Sequence, residues 1–201
     1  MDFSYSEEQQ MLQDSVSKFI STEYDWDSRQ AIAKSETGFS ADHWQLFAEL
    51  GWLTVPFKED DGGFGGSAVD LIVTMEEFGK GLLVEPFLAN TILAGTLIAE
   101  AGSSEQKTEL LTPLMEGNVQ LAFAYAEPQS RYELANIQCS AVINGDEIVL
   151  NGHKAVVLNG AAAEKILVSV RTSGDACDRD ASSVRVTVSR APSSLPPVRV
   201  P

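Results

Sequence analysis

Leu121-Ala-Phe-Ala-Tyr-Ala-Glu127-Pro128, followed by Asn151-Gly-His-Lys154-Ala-Val-Val-Leu-Asn159-Gly160, decides the fold of this chain. From Val119 onward the apolar period changes from 3.6 to 2, with strand-like runs at Val119–Ala126, Ile137–Ile143, Glu147–Leu150 and Ile166–Val170. Asn144-Gly145 separates two of these runs and predicts a hairpin, because Asn-Gly suits the tight turns that match strand twist. Asn151-Gly152 is a second short-turn signal.

Upstream the pattern is helical. Ser6 with Gln9 forms a capping-box pair ahead of Met11, Leu12, Val16, Phe19 and Ile20, which predicts a helix over Glu7–Ser21. Ser40 opens a helix over Ala41–Leu50 that stops at Gly51, and a shorter one is expected over Asp27–Lys34. Trp52–Val55 reads as a brief extended piece, and Lys58–Gly66 as a glycine-rich loop. Ser67 caps Ala68–Phe78, which Gly79-Lys-Gly81 ends. Leu88–Ala101 reads as an apolar buried helix, and Ser104–Met115 as an amphipathic one whose end Pro113 distorts.

Helices followed by strands give an α+β order: an N-terminal all-α helical domain over 1–118, then an incomplete antiparallel β-domain over 119–180. The tail, 181–201, is atypical. Its five Ser, four Pro and three Arg with no acidic residue predict disorder, apart from a short strand at Val184–Val188. The switch after Asp180 leads to the expectation of a truncated or frame-shifted product, which the other reading frames of the encoding DNA would test.

Charge divides the chain at the same place. Residues 1–118 hold 21 Asp/Glu against 6 Lys/Arg and residues 119–201 hold 8 against 8, so the net charge of −15 sits on the helical part. No basic face is available to neutralise phosphates, which argues against nucleic-acid binding. No apolar run approaches the roughly 20 residues of a membrane span, and the N-terminus lacks the basic and apolar regions of a signal peptide, so a cytoplasmic protein is expected.

Gly63-Phe-Gly-Gly-Ser-Ala68 fits G-x-G-x-x-A, yet an acidic run rather than an apolar strand precedes it, which favours a structural turn over a dinucleotide loop. Glu76 and Glu77 point about 100° apart on a helix and read as a solvated face. Asp60-Asp61 and Asp178/Asp180 lack further cation ligands, and no hydrolase elbow or Walker loop occurs. Cys139 and Cys177 have no metal-site or nucleophile spacing and read as structural or incidental.

Taken in order, several motifs resemble the acyl-CoA dehydrogenase family: Ser6-Glu-Glu-Gln-Gln-Met-Leu12, Glu59–Gly66, Glu76-Glu-Phe-Gly79, Gly102–Lys107, Leu114-Met-Glu-Gly117, Ala126-Glu-Pro128 and Leu150-Asn-Gly-His-Lys154. The likeness runs over about residues 1 to 172. It implies FAD as cofactor and an acyl-CoA thioester as substrate, dehydrogenated across the α,β bond to the 2-enoyl-CoA. An electron-transfer acceptor protein and a homo- or hetero-oligomer are implied as partners.

The family's catalytic carboxylate lies in a C-terminal helical domain, so no catalytic residue is assigned within this sequence. Phe123, Tyr125 and Ala126 would lie on the strand passing the flavin, and Val156, Val157 and Leu158 on the strand facing its other part. Family members commonly carry a hydroxyl residue before Glu-Pro and an aromatic-Ile-Thr triplet before Asn-Gly. Here Ala126 and Val156-Val-Leu158 stand there, leaving only main-chain groups to bond the ring. Gln129-Ser-Arg-Tyr132 replaces the usual Gly-x-Gly-Ser and resembles the small-subunit branch of pimeloyl-CoA dehydrogenase, whose members are heteromers. Two rival readings use the same scaffold: a non-catalytic subunit or interaction module, and a CoA-ligand-binding domain without redox chemistry.

Overall fold

The computed structural model describes residues 4–145, 147–178 and, as backbone, 184–190. The chain divides into two compact units, Met1–Val119 and Gln120–Pro201.

In the first unit, α1 (Glu7–Glu23), α2 (Trp26–Ala33), α3 (Ala41–Glu49) and α4 (Ala68–Lys80) each start at a side-chain cap: Ser6, Asp25, Ser40 and Ser67. At α1 the box is reciprocal, with Ser6 Oγ accepting from Gln9 N at 3.2 Å and Gln9 Oε1 from Ser6 N at 3.0 Å. Past α3, Gly51 takes the left-handed conformation that closes a helix end. Val16 and Phe19 of α1, Trp44 and Phe47 of α3, Phe78 of α4, and Trp52 and Phe87 are buried in one cluster. Phe47 stacks on Phe78 with centroids 5.5 Å apart and meets the edge of Phe19 at 5.1 Å. Each such ring, fully buried, contributes about 1.5–3 kcal/mol.

Four local expectations change. Trp52–Thr54 is a 3₁₀ turn, because consecutive Trp52 and Leu53 are both buried, whereas a strand would send them to opposite faces. α4 runs through Gly79 to Lys80, since burial of Glu77 and Phe78 outweighs the roughly 1 kcal/mol a helical glycine costs. Leu88–Gly95 is π-helical before α5 (Thr96–Ala101), and Lys107–Leu111 is π-helical between α6 (Ser104–Gln106) and α7 (Thr112–Met115). Pro113 has no N–H for the preceding turn, and the wider turn absorbs that loss before the proline.

Glu76 is half exposed, but Glu77 is not on a solvated face. It is 3 % exposed and accepts from Gln13 Nε2 at 3.0 Å and Lys80 Nζ at 2.6 Å. Helix packing of α1 against α4 supplies Gln13, a partner invisible from the local pattern. In the glycine loop, Gly63 N donates to Lys58 O at 2.9 Å, Gly65 N to Phe57 O at 2.7 Å and Gly66 N to Val55 O at 2.9 Å. Those amides are consumed within the turn and cannot cradle a phosphate. A Cβ on Gly66 would stand 2.5 Å from the Val55 carbonyl oxygen, which explains the small residue there.

The second unit is a sheet of β1 (Leu121–Ala124), β2 (Ser140–Asn144), β3 (Glu147–Asn151), β4 (Lys165–Arg171) and β5 (Val184–Arg190). The strand order is β1-β4-β2-β3, with β5 also on β4. The expected hairpin is β2–β3, in antiparallel register from Ser140↔Asn151 to Asn144↔Glu147. The sheet is nevertheless mixed rather than antiparallel: β1 runs parallel to β4 from Leu121↔Lys165 to Ala124↔Val168. The cause lies after β3, where Asn151-Gly152 leads the chain away instead of turning it back, so that β4 arrives beside β1 in the same direction. The short strand expected at Val184–Val188 is present and runs two residues further: β5 pairs antiparallel along β4 from Arg171↔Val184 to Lys165↔Arg190. The alternation of Val184, Val186 and Val188 with Arg185, Thr187 and Ser189 is its sequence basis. The remainder of the 181–201 expectation lies outside the described residues.

Truncating Phe47 to Ala should lower unfolding free energy by about 3–5 kcal/mol, the usual cost of emptying an aromatic site. Phe64→Ala, at a residue 56 % exposed, should change it by less than about 0.5 kcal/mol. Urea titration of both variants followed by tryptophan fluorescence checks this.

Candidate functional site

A turn that needs glycine brings the two quoted stretches together. Gly152 has a φ of 152° and lies over Cys139, where an added Cβ would come within 2.7 Å of the Cys139 Cα. The residue two places on, Lys154, is thereby carried inward; its side chain is only 8 % exposed. Lys154 Nζ donates to Glu127 Oε1 at 2.7 Å, to Ser169 Oγ at 3.0 Å and to Tyr125 O at 3.4 Å.

Glu127 is equally enclosed and accepts four hydrogen bonds. Besides Lys154, they come from Gln129 Nε2 at 2.7 Å, Gln138 N at 2.8 Å and Cys139 N at 3.1 Å. Burial pushes this carboxyl upward, but the bonds from Lys154, Gln129 and the two main-chain N–H groups outweigh it and hold it at about 2, against an ordinary 4.5. The neighbouring Cys139 thiol is pushed up, first by burial and then by its hydrogen bond to Glu127.

Around this pair the expected residues are placed as follows. Phe123 is on β1, half-buried, while Tyr125 and Ala126 lie just beyond its end. Phe123 and Tyr125 share a face, their ring centroids 5.4 Å apart. Ala126 O accepts from Ala155 N at 2.9 Å, which sets the segment carrying Val156, Val157 and Leu158 beside the exit of β1. That segment is not the expected strand: Val156 has a φ of 53°, a left-handed conformation that no strand accommodates, and a turn starts at Leu158. Asn159, also left-handed at 61°, closes the segment by donating from Nδ2 to Leu121 O at 3.0 Å and Gln120 Oε1 at 3.1 Å.

Apolar side chains are presented outward here, with Tyr125 38 %, Leu158 45 % and Val156 80 % exposed. Among the described residues the main-chain N–H groups of Val156, Val157 and Leu158 make no hydrogen bond within the protein. This donor set fits the rim and face of a planar conjugated ring, through main-chain groups and apolar surface and without a side-chain hydroxyl. Arg131, at the second glycine position of the usual Gly-x-Gly-Ser, has a φ of 46°, a left-handed conformation that a glycine would adopt without strain. Among the described residues no cluster of His, Cys, Asp and Glu could hold a metal ion, and no helix is long and apolar enough to cross a membrane.

Glu127, Lys154 and Asn159 were not among the residues expected to form the site. The signal for Glu127 and Lys154 is that a carboxylate and an ammonium each sit inside a short motif bounded by turn residues, 27 positions apart, and for Asn159 that it precedes a glycine. The low pKa of Glu127 carries a sign: its contribution to stability is complete above about pH 4.5 and is lost as pH falls through about 2. Urea midpoints measured down that range should fall less steeply for Glu127→Gln than for the parent chain.

Two family descriptions match in succession: "Acyl-CoA dehydrogenase, N-terminal domain" over residues 6–118, and "Acyl-CoA dehydrogenase, middle domain" over 122–199. The second extends the likeness well past residue 172 and across β5. The probable acyl-CoA dehydrogenase YngJ of Bacillus subtilis is 32% identical over 175 residues, a match covering 86% of this chain and 45% of that protein. The short-chain-specific acyl-CoA dehydrogenase of Clostridium acetobutylicum is 30% identical over 174 residues, with 86% and 45% covered. Among solved structures, a chain of the ChsE4-ChsE5 complex from Mycobacterium tuberculosis superposes with a TM-score of 0.81 at 26% identity, covering 94% of this chain and 49% of that one. The chain thus spans about half the length of the relatives it matches. Its helical unit and its sheet unit correspond in turn to consecutive domains of one family, and the chain belongs to the acyl-CoA dehydrogenases.

Proposed function

We propose that this chain contributes the flavin-facing sheet of an FAD-dependent acyl-CoA dehydrogenase, which takes an acyl-CoA thioester to the 2-enoyl-CoA. One observation carries the reading: the Ala155–Ala126 hydrogen bond sets Phe123, Tyr125 and Ala126 beside Val156, Val157 and Leu158, with apolar side chains outward. FAD bound there would supply the hydride acceptor.

The chain's own residues orient and shield. Tyr125 and Phe123 offer aromatic surface that excludes water, and the N–H groups of Val156–Leu158 offer donors to the polar rim of the ring. Glu127 and Lys154 cancel each other's charge, so neither presents a net charge to the reacting centre. No residue of this chain is assigned the role of base toward the substrate α-proton. An electron-transfer protein is the expected acceptor, within a homo- or hetero-oligomer.

A second reading, a non-catalytic subunit pairing with an active partner, is favoured by the β2–β3 hairpin. Val142 and Ile143 on β2 and Ile148 and Val149 on β3 are each more than 40 % exposed, which leaves apolar surface on both faces of the ribbon.

The purified chain, mixed with FAD and freed of excess, should retain the visible flavin absorption band. Tyr125→Ala should weaken that binding by about 2- to 12-fold, the equivalent of the ~0.5–1.5 kcal/mol an aromatic contact adds. A colourless chain that sediments as a stable oligomer would replace the first reading by the second.

A further inference from the structure

The segment Ala155–Leu158 belongs to no ladder, yet it contains a β-branched residue held in the left-handed region. Left-handed backbone is costly for an L-residue and persists only where the surroundings over-determine it. Val156 is 80 % exposed, so its own side chain does not fix it. The fixing groups lie on either side. Before it, Lys154 spends its three N–H bonds on two separate pieces of chain: Tyr125 O and Glu127 Oε1 in the segment beyond β1, and Ser169 Oγ of β4. After it, Asn159 holds Leu121 O at the start of β1.

We propose that Lys154, anchored by Glu127, and Asn159 form a bracket that positions the 155–158 main chain against the exit of β1. In this role Lys154 and Asn159 are positioning residues; on the flavin reading above, they determine where the N–H groups of Val156, Val157 and Leu158 stand. Three features separate a bracket from general packing. The pair is nearly fully buried, with side chains 8 % and 2 % exposed. Glu127 is itself tied to two main-chain N–H groups at the start of the β2 region, so it is a fixed post rather than a mobile counter-ion. The strands carry their own ladders, so loss of the bracket releases the segment and leaves β1–β4 and β2–β3 paired.

Amide hydrogen exchange on the full chain, read by NMR, tests the bracket without any cofactor. In Lys154→Met, the Ala155 amide should lose protection by about tenfold or more relative to the Leu167 amide of β4, and Lys154→Arg should restore part of it. Asn159→Gly keeps the left-handed turn, buries no lone charge and should loosen Ala155 in the same sense, so the test stands even if Lys154→Met fails to fold. Ala155 protection equal to the parent's in Asn159→Gly and in any folded Lys154→Met would overturn the proposal. A uniform loss at Ala155 and Leu167 would overturn it too, by showing a purely global effect.

Titration with FAD is a separate arm. Where the parent binds FAD, the loosened variants should bind it at least about tenfold more weakly and with a shifted visible band; unchanged affinity and spectrum would refute positioning toward the ring. Where the parent binds no FAD, the functional reading fails, and the exchange data alone decide the bracket.

Discussion

An ionised carboxylate taken out of water has to be met by donors on every side, and Glu127 is the place where this chain meets that demand. Removing one member of such a buried pair typically costs about 3–5 kcal/mol, because the other charge is stranded. Satisfying Glu127 therefore dictates positions for Gln129, for the adjacent Gln138 and Cys139, and for Lys154, which lie on three segments of chain. The placement of the segments that leave β1, enter β2 and leave β3 follows from that one requirement. Gly152 is needed because Cys139 must lie against it, and Cys139 must lie there because its N–H is one of the donors.

What could be read from the sequence was what is decided within a few residues. The Ser6–Gln9 box opened α1, and Asn144-Gly145 turned β2 into β3, since caps and tight turns are local chemistry. The parallel pairing of β1 with β4 was not legible, because it joins Leu121 to Lys165 across a stretch that itself contains a hairpin. Burial of Glu77 was hidden for a similar reason, its partner Gln13 lying 64 positions away. At the site, the ordered motifs located both segments. The resemblance implied a strand at Val156–Leu158, whereas the bonds of Lys154 and Asn159 flank a left-handed residue there. Periodicity registers side-chain burial, and this segment is set by main-chain and buried polar contacts instead.

The two units are stabilised in different ways. The helical unit has an aromatic cluster whose rings meet edge to face and stacked, wrapped in a surface that carries the entire net charge of −15. The sheet unit is charge-balanced, and among its described residues Ile137, Cys139, Ala141 and Val170 form one small apolar cluster. Its order also draws on satisfied buried polar groups, Glu127 and Lys154 at one place and Arg171 at another. Arg171 donates to the carbonyls of Ile137, Ala135, Ala176 and Asp178 and so ties down the loop that follows β4.

The strand order leaves β3 at the end of the sheet, with a row of main-chain groups that no described strand answers. Ile148 and Val149 sit on that rim, without the lysine, proline or bulge by which open edges are commonly blunted. Such a rim is a template for pairing with an extended chain, and the repulsion between the acidic helical units of two copies, whose reach salt shortens, opposes their approach along it.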